Sequence, residues 1–280
     1  MNALEIRDLS KSYKDFSLEH LNLTLPGGCI MGLVGENGAG KSTTIKLILN
    51  MIHRDGGSIS ILGRDNVTEM QSLKEEIGVV LDEVGMPECL NRKQVNRIMA
   101  LSFKNWDAEY FERLCDKLGV PNQKKFGEYS KGMKMKIGIA AAMSHHPKLL
   151  ILDEATSGLD PVVRDDVLDL LNDFTRDEDH AVLVSSHIVS DLEKICDYIA
   201  FMHQGRLVLC EEKDRLSELY GLIRCTKAQL DELDAHAVIG KRQSPYGVEA
   251  VVRRDALPAG MEAGPVDLEE LFVMMVRGRV

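Results

Sequence analysis

Residues 35–43 read GENGAGKST. Gly35, Gly40, Lys41 and Ser42 occupy the fixed positions of G-x-x-x-x-G-K-[ST], and Glu36, Asn37, Gly38, Ala39 and Thr43 complete the stretch. Glycine lets the backbone turn tightly and approach an anion with no side chain in the way. Successive backbone N–H groups then form a concave nest for phosphate oxygens. A helix starting near Gly40 adds unpaired donors and the positive end of its dipole. Lys41 is expected to reach the β- and γ-phosphates of a nucleotide as a point charge, with the Ser42 hydroxyl on Mg²⁺. Both flanks agree. Residues 29–34, CIMGLV, form a short apolar run suited to a buried strand, and Ile45, Leu47, Ile48 and Leu49 follow at helical density. A bare glycine-rich turn needs neither flank, so the phosphate-binding reading is preferred.

Composition bounds the remaining choices. A chain of 280 residues with 44% hydrophobic and 28% charged residues matches an ordinary globular protein of one sizeable domain plus an appendage. The net charge of −10 argues against broad electrostatic binding of nucleic acid. Six cysteines are scattered with no C-x-x-C pair, which predicts reduced thiols rather than a zinc site or disulfide framework. Apolar runs such as residues 137–143 fall far short of the ~20 residues of a bilayer span, and the N-terminus has no apolar signal core.

Along the chain, residues 4–9 predict an edge strand. Residues 18–25 place Leu21, Leu23 and Leu25 on one face and polar residues on the other, as a half-buried antiparallel strand does. Tyr13 lies between the two, where an aromatic ring can stack on an adenine or simply be half-buried. Strands are expected at 58–63 and 77–81, the latter ending at Asp82. From about 85 to 128 the periodicity turns helical, with a helix capped by Asp107 and stopped by Gly119–Val120–Pro121, so an inserted helical subdomain is predicted over about 85–145. Residues 149–208 alternate strand and helix, the pattern of a mostly parallel α/β sheet. Residues 213–280, with strand candidates near 248–252, read as a small α+β appendage carrying no recognisable chemistry.

Residues 149–154, LLILDE, carry a second signal. A buried strand ending in two acids delivers Asp153 and Glu154 to the carboxyl edge of the sheet, where open α/β folds bind ligands. Asp153 is suited to hold Mg²⁺, and Glu154 to orient or deprotonate an attacking water. His187 closes the strand that begins at Ala181 on the same edge. A lone histidine there is more often structural, but beside Lys41, Asp153 and Glu154 a γ-phosphate contact is the better reading. Tyr129-Ser130-Lys131-Gly132-Met133 opens a further helix, a second turn able to bind an anion. One nucleotide hardly needs two such turns from one chain. A symmetric dimer accounts for both, each copy offering Ser130, Lys131 and Gly132 to the nucleotide held by the other.

In this order the motifs resemble the nucleotide-binding subunit of ATP-binding-cassette (ABC) transporters over roughly residues 2–215. The order runs aromatic loop at Tyr13, Walker A at 35–43, helical insert, signature turn at 129–133, Walker B at 149–154, D-loop at 157–160 and switch histidine at 187. The resemblance implies a P-loop NTPase core with an antiparallel β subdomain and the helical insert, over residues 1–212. It implies Tyr13 against adenine, His187 against the γ-phosphate, and Ser157 and Asp160 at the dimer interface. It further implies ATP and Mg²⁺ as cofactors, a second copy and a separate transmembrane permease as partners, no nucleic acid, and a place at the cytoplasmic face of the membrane through that permease. Two departures stand out. YSKGM replaces the usual LSGGQ, with Lys131 between Ser130 and Gly132; it resembles exporter ATPases that pair with a separate permease and remove toxic peptides. Asp82 stands where the family has a glutamine that senses Mg²⁺, and is expected to keep the metal-sensing task. The rival readings are a soluble cassette ATPase of translation or DNA repair, and a nucleotide-gated module without turnover. The first usually has two cassettes or long coiled coils, absent here, and the set Lys41, Asp153, Glu154 and His187 speaks against the second.

Overall fold

The computed structural model describes residues 1–277 apart from positions 157, 246 and 259. The chain opens with β1 (Asn2–Ser12), β2 (Ser17–Pro26) and β3 (Ile30–Gly35), followed by α1 (Lys41–Ile48). Next come β4 (Gly56–Ile61), the short β5 (Arg64–Asp65), one turn of helix α2 (Met70–Leu73) and β6 (Ile77–Val80). The helical stretch comprises α3 (Arg92–Ser102), α4 (Ala108–Lys117) and α5 (Lys131–Met143). Then β7 (Leu149–Asp153), α6 (Pro161–Phe174), β8 (Ala181–Ser186), α7 (Val189–Ile195), β9 (Tyr198–His203) and β10 (Arg206–Glu212) follow. The C-terminal part holds α8 (Lys213–Leu219), β11 (Tyr220–Cys225), α9 (Lys227–Asp231), β12 (Val238–Ser244), β13 (Gly247–Arg253) and α10 (Leu268–Arg277).

Six strands form the central sheet in the order β10-β9-β3-β8-β7-β6. All neighbours from β9 to β6 run parallel, and β10 returns antiparallel on β9. The strands are buried on both faces, and their period of two divides them between two cores. Ile30, Val34, Leu150, Leu152, Val182 and Val184 point toward the helices. Met31, Leu33, Leu149, Ile151, Ala181 and Leu183 join α1 and the antiparallel sheet.

That second sheet has the order β2-β1-β4-β5. The expectation of an edge strand at residues 4–9 is therefore wrong, because β1 pairs with β2 on one side and β4 on the other. The hairpin partner follows directly in sequence. The second neighbour returns only after β3 and α1, a pairing that no local pattern of β1 encodes.

Arg92 ties the helical stretch together. Only 3% exposed, it donates to Asp116 Oδ1 at 2.7 Å, to Val120 O at 3.1 Å and to Glu112 O at 2.6 Å, joining α3 to α4 and the turn after it. The third sheet, β11-β13-β12, belongs to the C-terminal part. Helix α10 packs between that sheet and the main body: Glu270 pairs with Arg242 of β12 at 2.6 Å, Leu268, Leu271, Met274 and Met275 are buried in the helix-side core, and the Phe272 ring centroid lies 5.1 Å from that of Phe201 of β9. The six cysteines are all free thiols. Burial pushes Cys115 up to about 12 and Cys210 up to about 11, so both are held as neutral thiols.

Candidate active site

Because β3, β8, β7 and β6 are parallel neighbours, their carboxyl ends share one edge of the sheet. That edge receives the 35–43 loop from β3, His187 from β8, Asp153 and Glu154 from β7, and Asp82 from β6. A pocket of about 520 Å³ opens there, lined by residues 36–43 together with Asp15, Phe16, Asp82 and Glu154.

The loop is shaped by close approaches that exclude larger residues. A Cβ on Gly35 would stand 2.6 Å from Met202 O, and Gly40 has a φ of +109° with the Phe16 ring 3.0 Å from where its Cβ would be. Gly205 N–H, in the β9–β10 turn, donates to Ala39 O at 3.0 Å and pins the loop from outside. Lys41 is buried, and its Nζ donates to Gly35 O at 2.6 Å and Glu36 O at 3.3 Å, so the loop closes around its own ammonium. No side chain caps α1 at Gly40. Its first-turn N–H groups therefore face the concavity as anion donors. The residues present fit a nucleotide's phosphates.

Asp153 is 5% exposed, accepts from Ser185 Oγ at 2.6 Å and has no ion-pair partner among the described residues. A buried carboxylate without a cation is costly, and a divalent metal is the natural complement. Glu154 takes a left-handed φ of 53°, a conformation costing about 1–2 kcal/mol outside glycine. Its N–H is held by Ser185 O and Ser185 Oγ, both at 3.1 Å. The turn aims its carboxylate back into the site, 3.5 Å from Lys41 Nζ and 2.6 Å from His187 Nδ1. Ser185 thus holds both acids of the β7 end, a task with no motif of its own in the sequence.

The remaining predicted residues lie elsewhere. Tyr13 is half-exposed and stands beside Phe16, ring centroids 6.5 Å apart, with Lys11 Nζ over its ring at 5.5 Å. Phe16, not Tyr13, lines the pocket. No motif marks Phe16, although it is the second aromatic of the same loop. Glu36 stands 2.8 Å from His203 Nδ1, a further neighbour sequence reasoning missed. Ser130 caps α5, accepting from Met133 N at 3.2 Å, and Lys131 Nζ donates to Asp82 Oδ1 at 2.7 Å. Gly132 packs on the D-loop, with Gly158 O 3.2 Å from where its Cβ would be. Asp160 caps α6 through Val163 N at 3.1 Å. Ser157 lies outside the described residues.

The family model for ABC transporters matches residues 18–157, from β2 through the end of β7. The chain belongs to the ABC transporter family. The cassette is 33% identical over 221 residues to the bacitracin transport ATP-binding protein BcrA of Enterococcus faecalis, covering 78% of this chain and 71% of that one. It is 34% identical over 227 residues to the lantibiotic transport ATP-binding protein SrtF of Streptococcus pyogenes, covering 78% and 95%. Among solved structures, an ATP-binding subunit of an ABC transporter superposes with a TM-score of 0.69 at 30% identity, over 76% of this chain and 91% of that one. The cassette is an ATP-binding, ATP-hydrolysing transporter subunit. No helix among the described residues is long and apolar enough to cross a membrane.

Proposed function

We propose that this cassette dimerises around two MgATP and drives a separate transmembrane permease that exports peptides, toxins or drugs. The observation that carries the dimer is the separation of the two anion-binding turns. The pocket of the 36–43 loop includes neither Ser130 nor Gly132 among its lining residues. A second copy supplying that turn, with Asp160 at the interface, completes each site. In this reading Ser42 and Asp153 hold Mg²⁺ and Asp82 senses it. Metal and Lys41 together offset the charge of the triphosphate. Glu154 positions or deprotonates the attacking water, His187 contacts the γ-phosphate, and Tyr13 and Phe16 flank the adenine.

A groove of about 520 Å³ between α2, β6, α3 and α5 supports the permease. Met51, Met70, Val84, Met86, Met99 and Phe103 line it, an apolar and adaptable surface for a helix of a membrane partner. Leu81 and Glu83, on either side of Asp82, line it, so a partner seated there touches the strand end that reaches the nucleotide pocket. Docking of this kind places the cassette at the cytoplasmic face of the membrane. The relatives named for bacitracin and lantibiotic transport support a peptide cargo. The test is purification of the tagged chain from detergent-solubilised cells. Recovery with a polytopic membrane protein whose presence raises ATP turnover supports the reading; recovery with ribosomes or DNA instead rejects it.

A further inference from the structure

Lys131 and Asp82 lie in the two motifs at which this cassette departs from its family pattern, and the fold joins them. Their side chains meet at 2.7 Å, across the gap between the start of α5 and the end of β6. Lys131 sits in the first turn of α5, where the helix dipole is positive and no acidic residue of the turn balances it. Asp82 is its ion-pair partner, and among the described residues it has no other. The lysine stem runs past the D-loop, with its Cδ 3.7 Å from where a Cβ on Gly158 would be. Asp82 also lines the nucleotide pocket of its own chain, together with Lys41 and Glu154. One ion pair therefore connects the turn that faces a second copy to the pocket of the same chain.

We propose that Lys131 is a positioning residue shared between two acceptors: Asp82 in the separate subunit, and the phosphate groups of the second copy's nucleotide in the closed pair. This rests on the dimer reading above. Both side chains are about half exposed, so the pair is loosely held. A triphosphate carries more charge than one carboxylate and presents it at the positive end of α5, so it outcompetes Asp82 for the ammonium. Transfer of Lys131 uncovers the Asp82 carboxylate at the edge of its own pocket. Binding at one site is then linked to the charge and metal environment of the other, and the linkage is reciprocal.

The test is a double-mutant cycle on ATP-driven dimerisation. Sedimentation velocity follows the monomer–dimer balance against ATP concentration in the Glu154→Gln protein, which is expected to hydrolyse slowly. Asp82→Asn changes the charge and the metal environment near the chain's own phosphates, a shift of the midpoint that is common to both backgrounds. The latch adds a further lowering of about three- to fivefold that requires Lys131. In the Lys131→Met background the Asp82→Asn shift is smaller by that factor. Equal shifts in the two backgrounds overturn the latch and leave the dimer reading intact. A Glu154→Gln protein that never dimerises with ATP overturns both. The exposed positions of both side chains keep folding out of the comparison.

Discussion

The imidazole of His187 and the carboxylate of Glu154 meet at 2.6 Å, Nδ1 to Oε2. Facing a carboxylate acceptor, Nδ1 is the donor of this contact, and Nε2 is the ring nitrogen that takes no part in it. Lys41 stands on the other side of the same carboxylate at 3.5 Å. Glu154 is thus held between two residues proposed to contact phosphate, by a turn that only its left-handed backbone permits.

Glu154→Gln keeps an oxygen able to accept from His187 but removes the charge. ATP binding is expected to survive while hydrolysis falls about 10²–10⁴-fold, with ATP-loaded dimers accumulating. Phosphate release and nucleotide binding measured on the same preparation check this. Normal turnover would remove Glu154 from its proposed role.

Ser185→Ala deletes the hydroxyl that donates to Asp153 and accepts from Glu154 N–H. Stability is expected to fall by about 1–3 kcal/mol, because the buried Asp153 carboxylate loses its donor. Turnover is expected to fall with KM for ATP nearly unchanged, since the 36–43 loop is untouched. A rise in KM with constant kcat would show that Ser185 shapes the phosphate loop instead.

Arg92→Met removes the donor to Glu112 O and Val120 O, and a loss of about 1–3 kcal/mol at neutral pH is expected from urea unfolding. The hydrogen bond from Arg92, and then its charge, hold the Asp116 carboxyl below its ordinary value. A lowered folded-state pKa stabilises above the unfolded value of about 3.9, and that contribution is lost as pH falls through the lower folded value. The gap between parent and variant should therefore narrow below about pH 4. A gap that stays constant from pH 7 to pH 3 contradicts the linkage.

Leu271→Ala tests whether the C-terminal part is fastened to the cassette. Leu271 is buried beside Met274 and Met275 of α10 in the helix-side core, and its truncation is expected to cost about 2–5 kcal/mol. Thermal unfolding reads the loss. If α10 merely rested on the surface, the change would stay within about 0.5 kcal/mol.

The phosphate loop, the acidic strand end and the alternating strands were legible in the sequence because each depends on local chemistry. Glycines at fixed spacing are demanded by the backbone of residues 35–43, and a short apolar run such as LLILD, ending in acids and too short for a helix, reads as a buried strand. The parallel direction of β3, β8, β7 and β6 follows from alternation of strand and helix, a local pattern, whereas their order in the sheet was set by packing. What joined distant stretches was decided by packing. β1 found its second partner in β4, Phe16 rather than Tyr13 reached the pocket lining, and α10 came to bridge the third sheet and Phe201. Ser185 became the support of both acids only because β7 and β8 pair in register, Asp153 opposite Ser185. The phosphate loop and two residues of this chain's departing motifs, Asp82 and Lys131, mark the boundary between the two kinds of information. Sequence alone determined the chemistry each can perform. That Asp82 and Lys131 touch, 49 residues apart, was set by the long-range fold that brings the end of β6 to the start of α5.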